Sequence, residues 1–533
     1  MSPQLDNVDV VVIGSGVAGA LVAKTLAQQN MKVCILEAGT AWTRTEALQQ
    51  YHSSINRTLT SPFPKAAWLL NPSQKAYFAQ QGNPSYRPHF IQGVGGTTWN
   101  WTGITPRFLP NDFRLESKYG IATDWPITYA DLETFYVQAE HALGVAGDSL
   151  HHHGSPRSEA YPMPAIPMSY ADQVIAKKLS RQGLSVAPFP AARNSKAYDN
   201  RPACRGNNTC SPLCPTGASY SANTDIQKAV KAGAQLIKEA VVFKLDVGED
   251  NHISAAHYKH PDGSIHQIKA KKFILACNAI ETPRLLLMSK NKIYPTGIAN
   301  TSGQVGRNLM DHCILTWKFN MPEAVFLGRG PQSISTILHG RDGAFRRKHA
   351  AIKFFLGNDL NIHMEAAQLL KHDKNWLPIV DKLKEHAIFQ AQIGFEIEQL
   401  PLPTNRIHLN WQRLDPLGLP LPYVDYNLHV YTEKGIKVWR AYTEKLIQHL
   451  GAEITASALT LSSHHPSGTT RMGHDTKASV VNEHCQSHDH KNLYIIGSSV
   501  FPTQGTANPT LTIAALSLRL AQYIKKNANS TKD

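Results

Sequence analysis

Asp9-Val-Val-Val-Ile13 is an unbroken apolar run, the pattern of a strand buried on both faces, and it leads directly into Gly14-Ser-Gly16-Val-Ala-Gly19. Apolar residues then recur with helical spacing at Ala20, Leu21, Ala23 and Leu26, and Lys32-Val-Cys-Ile-Leu36 reads as a second strand ending at Glu37. Two more apolar runs follow far downstream. Phe273-Ile-Leu-Ala-Cys277 leads into Asn278-Ala-Ile-Glu-Thr-Pro283, and Asn492-Leu-Tyr-Ile-Ile496 leads into Gly497-Ser498-Ser499. A final helical run extends from Thr510 to about Ile524, with Pro509 suited to its first turn. Arg406-Ile-His-Leu-Asn410 alternates like a strand, and Tyr161-Pro-Met-Pro-Ala-Ile-Pro167 reads as an extended connector. These strand–helix units predict an α/β fold.

The first unit carries chemistry. Gly14, Gly16 and Gly19 permit a tight turn and a close backbone approach to a pyrophosphate, with the following helix offering free N–H groups. Glu37 lies 18 positions after Gly19, where a ribose-binding carboxylate belongs. With strand, helix, second strand and terminal acid in register, the segment predicts a Rossmann-like dinucleotide site. Glu37 followed by Ala38-Gly39 favours FAD over NADP, because an acid repels a ribose phosphate. Gly93-Val-Gly95-Gly96-Thr97-Thr98-Trp99-Asn100-Trp101 is a second glycine-rich loop, whose amides could reach a cofactor while Trp99 and Trp101 exclude water. Alone it is equally consistent with a hairpin.

Composition adds bounds. The chain has 533 residues, too many for one ordinary core, and 42% hydrophobic with 18% charged residues suits a folded enzyme. The net charge of +14 is scattered, with no nucleic-acid motif. An acidic protein partner or anionic membrane surface accounts for it, as does a basic protein with no charged partner. No apolar run is long enough to span a bilayer, and Met1 to Asp9 lack the basic start and apolar core of a secretory signal. The expectation is a chain that stays in the cytoplasm or is exported already folded with another protein.

Three of the seven cysteines, Cys204, Cys210 and Cys214, fall within eleven positions, and Pro215 follows. Thiolates this close in a turn-rich segment suggest an iron–sulfur cluster, a structural zinc with a fourth ligand, or a disulfide plus a free thiol. Cys34, Cys277, Cys313 and Cys485 are dispersed and read as buried hydrophobes. The His151-His152-His153 run reads as a solvated loop.

Taken together, the glycine turn, the second glycine loop and the two downstream strands resemble the glucose–methanol–choline (GMC) flavoprotein oxidoreductases, from Asp9 to the final helix. Ala192-Arg-Asn-Ser with Cys204, Cys210 and Cys214-Pro215-x-Gly217-Ala218 more narrowly resembles the catalytic subunit of bacterial membrane-associated FAD-dependent glucose, fructose, sorbitol and gluconate dehydrogenases. The resemblance implies a 3Fe–4S cluster on these three cysteines, a small export-signal subunit, a multihaem cytochrome c subunit, and location on the periplasmic face of the inner membrane, reached through those partners. It places FAD against Gly14, Gly16, Gly19, Glu37, Ala38, Gly95, Gly96, Thr97, Thr98, Asn100, Trp101, Val242, Gly497, Ser498 and Thr510.

The same resemblance assigns catalysis. In Leu461-Ser-Ser-His464-His465-Pro-Ser-Gly468-Thr469, His465 matches the family's catalytic histidine, three residues before the Gly-Thr pair, and Asn508 matches the second catalytic position. Oxidising an alcohol requires removal of the hydroxyl proton as hydride leaves carbon, and neutral imidazole is a suitable base. Asn508 can hold the substrate oxygen without competing for the proton. His464 is the rival for the base. Asp311 and His312 are expected to support structure near the cofactor.

The implied organisation is a flavin domain from discontinuous segments, 1–145, 201–313 with the cluster loop, and 464–533. Residues 146–200 act as connector and as a segment of the substrate domain, and 314–463 form a substrate-binding domain with no cofactor motif. The expected activity is oxidation of a sugar, sugar acid or polyol, with a self-contained oxidase or dehydrogenase bearing structural cysteines as the alternative.

Overall fold

The four apolar runs become neighbours in one parallel sheet. The computed structural model describes residues 8–55, 79–80, 86, 88–151, 153–359, 380–381, 383 and 387–529. Its five-stranded sheet runs Leu493–Ile495, Ala270–Leu275, Val8–Ile13, Val33–Leu36 and Gln235–Ile237, every pair parallel. Val10, Val11 and Val12 are fully buried, as a strand covered on both faces must be. Helices Val17–Ala27, Tyr129–Leu143 and Thr510–Asn529 contribute to the same core. Pro509 stands just before the last helix, its carbonyl accepting the Ile513 amide at 2.9 Å, so it caps that helix and does not occupy its first turn.

A second layer faces this one. Six strands run in the order Glu453–Thr460, Cys313–Asn320, Gln390–Ile397, Ile352–Gly357, Ser335–Ile337 and Val186–Pro188. Cys313, Leu315, Trp317 and Phe319 alternate into its core, the period-two pattern of a sheet with one covered face. Helix Val430–His449 packs Ile436, Trp439, Leu446 and Ile447 into that core. The Arg406 alternation is a strand, Arg406–Leu414, paired with Pro420–Asp425. In the proline-rich connector, Met163–Pro164 pairs in parallel with Ala146–Gly147.

Two readings need correction. His153 is buried, and its carbonyl accepts from Arg341 Nη1 at 2.7 Å, so that part of the histidine run is core and not solvated loop. His152 lies outside the described residues. None of the seven cysteines forms a disulfide. Cys34, Cys313 and Cys485 are buried, whereas Cys277 is only partly so. No described helix is long and apolar enough to cross a membrane.

Candidate active site

Two cavities, of about 410 and 370 Å³, share Gly16, Phe90, Thr97, Ala276 and Asn278 in their walls and so form one continuous channel between the layers. Gly14, Glu37, Ala38, Gly96 and Val242 line the smaller cavity. Thr98, Asn100, Trp101, Gly497, Ser498, Thr510, His465 and Asn508 line the larger. Asp415, Leu417 and Leu419 also line the smaller one. Region 314–463 therefore contributes to the cofactor end of the channel as well as to the second layer.

The glycines fit a dinucleotide. A Cβ at Gly14 would lie 2.6 Å from the Ala276 carbonyl oxygen, and one at Gly19 1.9 Å from that of Gly14, so neither position admits a side chain. A Cβ at Gly16 meets no protein atom within 4 Å, because Gly16 faces the channel. No side chain caps helix Val17–Ala27, which leaves its first N–H groups for an anion. Glu37 Oε2 accepts from Ser15 N at 3.0 Å and Ser15 Oγ at 2.5 Å, and Oε1 from Gly39 N at 3.0 Å. Burial raises its pKa against those donors. These residues would hold the adenosine and pyrophosphate of FAD.

The second glycine loop forms a turn of 3₁₀ helix, Gly96–Trp99. Gly95 and Gly96 have φ of +96° and +56°, which favour glycine. Gly95 N–H donates to Ser15 Oγ at 3.2 Å, joining the two glycine loops. Trp101 lines the channel and donates to the Tyr220 carbonyl at 2.8 Å. Trp99 turns the other way, into a small cluster with Ala47, Ile91 and Leu213. It therefore does not wall the channel; it ties the flavin loop to the cysteine loop.

At the far end of the larger cavity, Asp311 organises the histidines. Its carboxylate accepts from His312 N at 2.7 Å, Ser462 Oγ at 2.6 Å and His465 N at 3.0 Å. Burial pushes its pKa up to about 7 against these donors. Burial also lowers His312 to about 4 and His465 to about 3, so both rings are neutral at ordinary pH.

A neutral ring has one N–H, and the hydrogen-bond network assigns it. His312 Nε2 lies 3.0 Å from the Gly505 carbonyl, which only accepts, so the proton sits there and Nδ1 is a lone pair. His465 Nδ1 lies 3.0 Å from that lone pair and 3.1 Å from Ser463 Oγ, so it carries the proton of His465. His465 Nε2 is left as an acceptor, 3.3 Å from the Asn508 amide nitrogen Nδ2. His464, the rival, uses its Nδ1 to accept the His89 backbone N–H at 3.1 Å.

Two charged residues in this wall had no motif to announce them. Lys353 and Glu396 face each other across neighbouring antiparallel strands and form a buried ion pair. Burial alone would raise Glu396, but the groups facing it, the Lys353 ammonium first, together outweigh burial and lower the carboxyl to about 2. Lys353 Nζ also donates to Asn508 Oδ1, which fixes the amide with Nδ2 toward His465. The available signal was a lysine and a glutamate inside otherwise apolar strands, Ile352-Lys-Phe-Phe-Leu356 and Ile393-Gly-Phe-Glu-Ile397.

The cysteine segment abuts the same channel. Ser211, next to Cys210, lines the larger cavity and donates to Asn100 Oδ1 at 2.7 Å. Buried Arg193 places Nη1 3.1 Å from Cys210 Sγ. Gly206 N–H points to Cys204 Sγ at 3.4 Å, and Arg44 Nη1 donates to the Cys214 carbonyl at 2.6 Å. Burial raises the Cys210 thiol, whereas at Cys214 N–H and hydroxyl donors and Arg44 outweigh burial and lower it.

A parallel-sheet nucleotide site opening onto a neutral histidine and an amide defines a flavin-dependent oxidoreductase acting on CH–OH groups, and comparison with known proteins agrees. Residues 164–314 and 401–517 match models described as GMC oxidoreductase, and residues 9–47 one described as FAD binding domain. The chain is 35% identical to the fructose dehydrogenase large subunit of Gluconobacter japonicus, over 98% of this chain and 99% of that one. It is 24% identical to the gluconate 2-dehydrogenase flavoprotein of Pantoea cypripedii, over 98% and 94%. Pyridoxine 4-oxidase from Mesorbium loti shares the fold, with a TM-score of 0.65 at 16% identity over 97% of this chain and 99% of that one. The chain belongs to the GMC oxidoreductase family.

Proposed function

We propose that this chain is the catalytic subunit of a dehydrogenase that oxidises a CH–OH group of a sugar, sugar acid or polyol. The reading is carried by the juxtaposition of His465 Nε2 and Asn508 Nδ2, 3.3 Å apart in the channel wall. His465 Nε2 takes the hydroxyl proton, and Asn508 Nδ2 donates to the hydroxyl oxygen, which orients the C–H bond. FAD, when bound, supplies the hydride acceptor. His312 and Asp311 keep the acceptor nitrogen of His465 turned to the substrate, and Trp101 limits water at the flavin. Relatives named for fructose and gluconate support a sugar-type substrate.

The reading extends to Cys204, Cys210 and Cys214 as holders of a 3Fe–4S cluster, which when bound supplies a one-electron exit toward a cytochrome c subunit. In support, no disulfide joins the three, donors point at the sulfurs of Cys204 and Cys210, and Thr209 Oγ1 and Arg193 Nε are buried without a hydrogen-bond partner among the described residues. A small partner subunit would bring the export signal and carry the folded chain to the periplasmic face of the inner membrane.

Anaerobically prepared protein, co-expressed with its small partner, is expected to contain iron and acid-labile sulfide and to give an EPR signal when oxidised. Absence of both, with oxygen consumption and peroxide release, would instead make the cysteines structural and the enzyme a self-contained oxidase. Normal turnover by His465→Ala would end the assignment of the base. Cytosolic protein despite the partner would end the assignment of location.

A further inference from the structure

We propose that the buried Lys353–Glu396 pair is a second hydroxyl-binding subsite, which makes the enzyme select alcohols carrying another hydroxyl on the carbon next to the one oxidised. The inference rests on the reading of His465 and Asn508 as the residues that hold the reacting hydroxyl.

The two side chains are a cross-strand pair in the interior of the six-stranded sheet, and both line the cavity that contains His465 and Asn508. Folding alone gives no reason for them, since a buried ion pair is commonly no better than a well-packed apolar pair. Their neighbours in that wall, Phe189, Ile314 and Phe355, are apolar, so the pair is a local polar spot. A Glu396 carboxylate oxygen and a ring nitrogen of His465 lie within 4.8 Å of one another. Adjacent oxygens of a diol stand about one hydrogen-bond length apart, roughly 2.8 Å. Lys353 Nζ contacts both Asn508 and Glu396, so when one oxygen sits against His465 Nε2 and Asn508 Nδ2, its neighbour comes within reach of the pair. Lys353 has three ammonium protons. Asn508 and Glu396 engage two, and the third remains for the second hydroxyl oxygen. A monoalcohol in this cavity would leave that proton and a carboxylate lone pair without a partner, which is the circumstance in which enzymes discriminate most strongly.

The test compares cis-1,2-cyclohexanediol with cyclohexanol, using flavin-loaded enzyme and an artificial electron acceptor. Wild-type kcat/KM is expected to favour the diol by on the order of 100-fold, and Glu396→Gln to shrink that ratio by about tenfold or more. Dissociation constants without turnover come from flavin difference spectra of His465→Ala. The diol preference should persist there and be lost in His465→Ala/Glu396→Gln. Should Glu396→Gln be recovered without flavin, Glu396→Asp replaces it and lowers the ratio in the same direction. A wild-type ratio near one, a diol that leaves the flavin spectrum unperturbed, or a ratio indifferent to residue 396 overturns the subsite. Full turnover by His465→Ala overturns instead the reading beneath it.

Discussion

His312 and His465 meet Nδ1 to Nδ1 at 3.0 Å, and this contact sets which nitrogen of His465 is free. Because His312 spends its only proton on Gly505, it can only accept from His465, and the lone pair of His465 is directed to Asn508. Burial lowers His465 from 6.5 to about 3. A base works when deprotonated, so kcat/KM should hold steady as pH falls through the ordinary imidazole range and decline only nearer pH 3. His312→Leu removes the acceptor and should reduce kcat by roughly 10- to 100-fold with a smaller effect on KM. A wild-type acid limb centred near 6.5 would contradict the buried, neutral base.

Gly16 and Gly19 separate cofactor space from protein space. Gly19→Ala forces a methyl into the Gly14 carbonyl, whereas Gly16→Ala touches only the channel. Both variants should lose FAD, read as the ratio of flavin to protein absorbance. Only Gly19→Ala should also lower the melting temperature of the flavin-free protein. Equal melting losses would show that Gly16 serves packing and not the cofactor.

What was legible in the sequence was what is local. The glycine turn, the Glu37 that ends the next strand and the cysteine spacing lie in short stretches of chain, and His465 and Asn508 came forward through the family resemblance of the motifs around them. Lys353 and Glu396 are 43 positions apart and become partners only through strand register, which no local pattern encodes. The Asp415–Leu419 turn was likewise hidden, since its place at the cofactor follows from how Arg284 grips it, donating to Asp415 Oδ2 at 2.7 Å and to the Pro420 carbonyl at 2.9 Å. Trp99 was misread because it closes the 3₁₀ turn whereas Trp101 stands two residues beyond it in irregular chain, so the two rings leave the backbone in different directions, and sequence proximity to a glycine loop does not say which one faces the cofactor. His153 was misread because polarity of the flanking residues suggested a surface loop, whereas Arg341 draws that backbone inward.

Breaking the Lys353–Glu396 pair should cost more than deleting it. Lys353→Met leaves a buried carboxylate without its counter-charge, a loss of about 3–5 kcal/mol in comparable cases. Lys353→Met/Glu396→Leu removes both charges and should melt well above Lys353→Met. A double variant that is additive in the two single losses would mean that the charges do not interact.

Acid should destabilise the fold early. Burial lowers His153 and His465 to about 3 and His312 and His464 to about 4, all from 6.5. A depressed folded pKa means that the unfolded chain binds the proton first. The stability these four contribute is therefore complete above about pH 6.5 and is lost as pH falls toward 3–4. Asp311, raised from 3.8 to about 7, and Asp172, raised to about 6, act in the opposite sense, as do Glu37, Asp112 and Asp359, but burial also lowers His339, His408, His484, His488 and His490, so the histidines set the direction. The melting temperature of the flavin-loaded enzyme should fall steadily between pH 6.5 and 4.5, and a flat or rising profile would refute the neutral buried histidines.

Arg193 is fully buried, yet its hydrogen bonds run to Cys210 Sγ at 3.1 Å and to the carbonyls of Gln332 and Ser333 at 2.9 and 3.1 Å, with none to a carboxylate among the described residues. A buried guanidinium needs an anion; the Asp359 carboxylate acts on it through space, and the sulfur of Cys210 is the anion-forming group within hydrogen-bond reach. Where the three cysteines hold an iron–sulfur cluster, a positive charge and an N–H donor at one sulfur favour the more negative, reduced state and raise its potential. Arg193→Gln keeps a donor but removes the charge. It should lower the midpoint potential in an EPR-monitored redox titration, with iron content retained. Where a cytochrome c subunit is the acceptor, it should also slow delivery to that subunit more than delivery to a small dye that accepts at the flavin. A potential that does not move would show that the arginine merely buttresses the loop through Gln332 and Ser333, and that the sulfur charge is balanced from elsewhere.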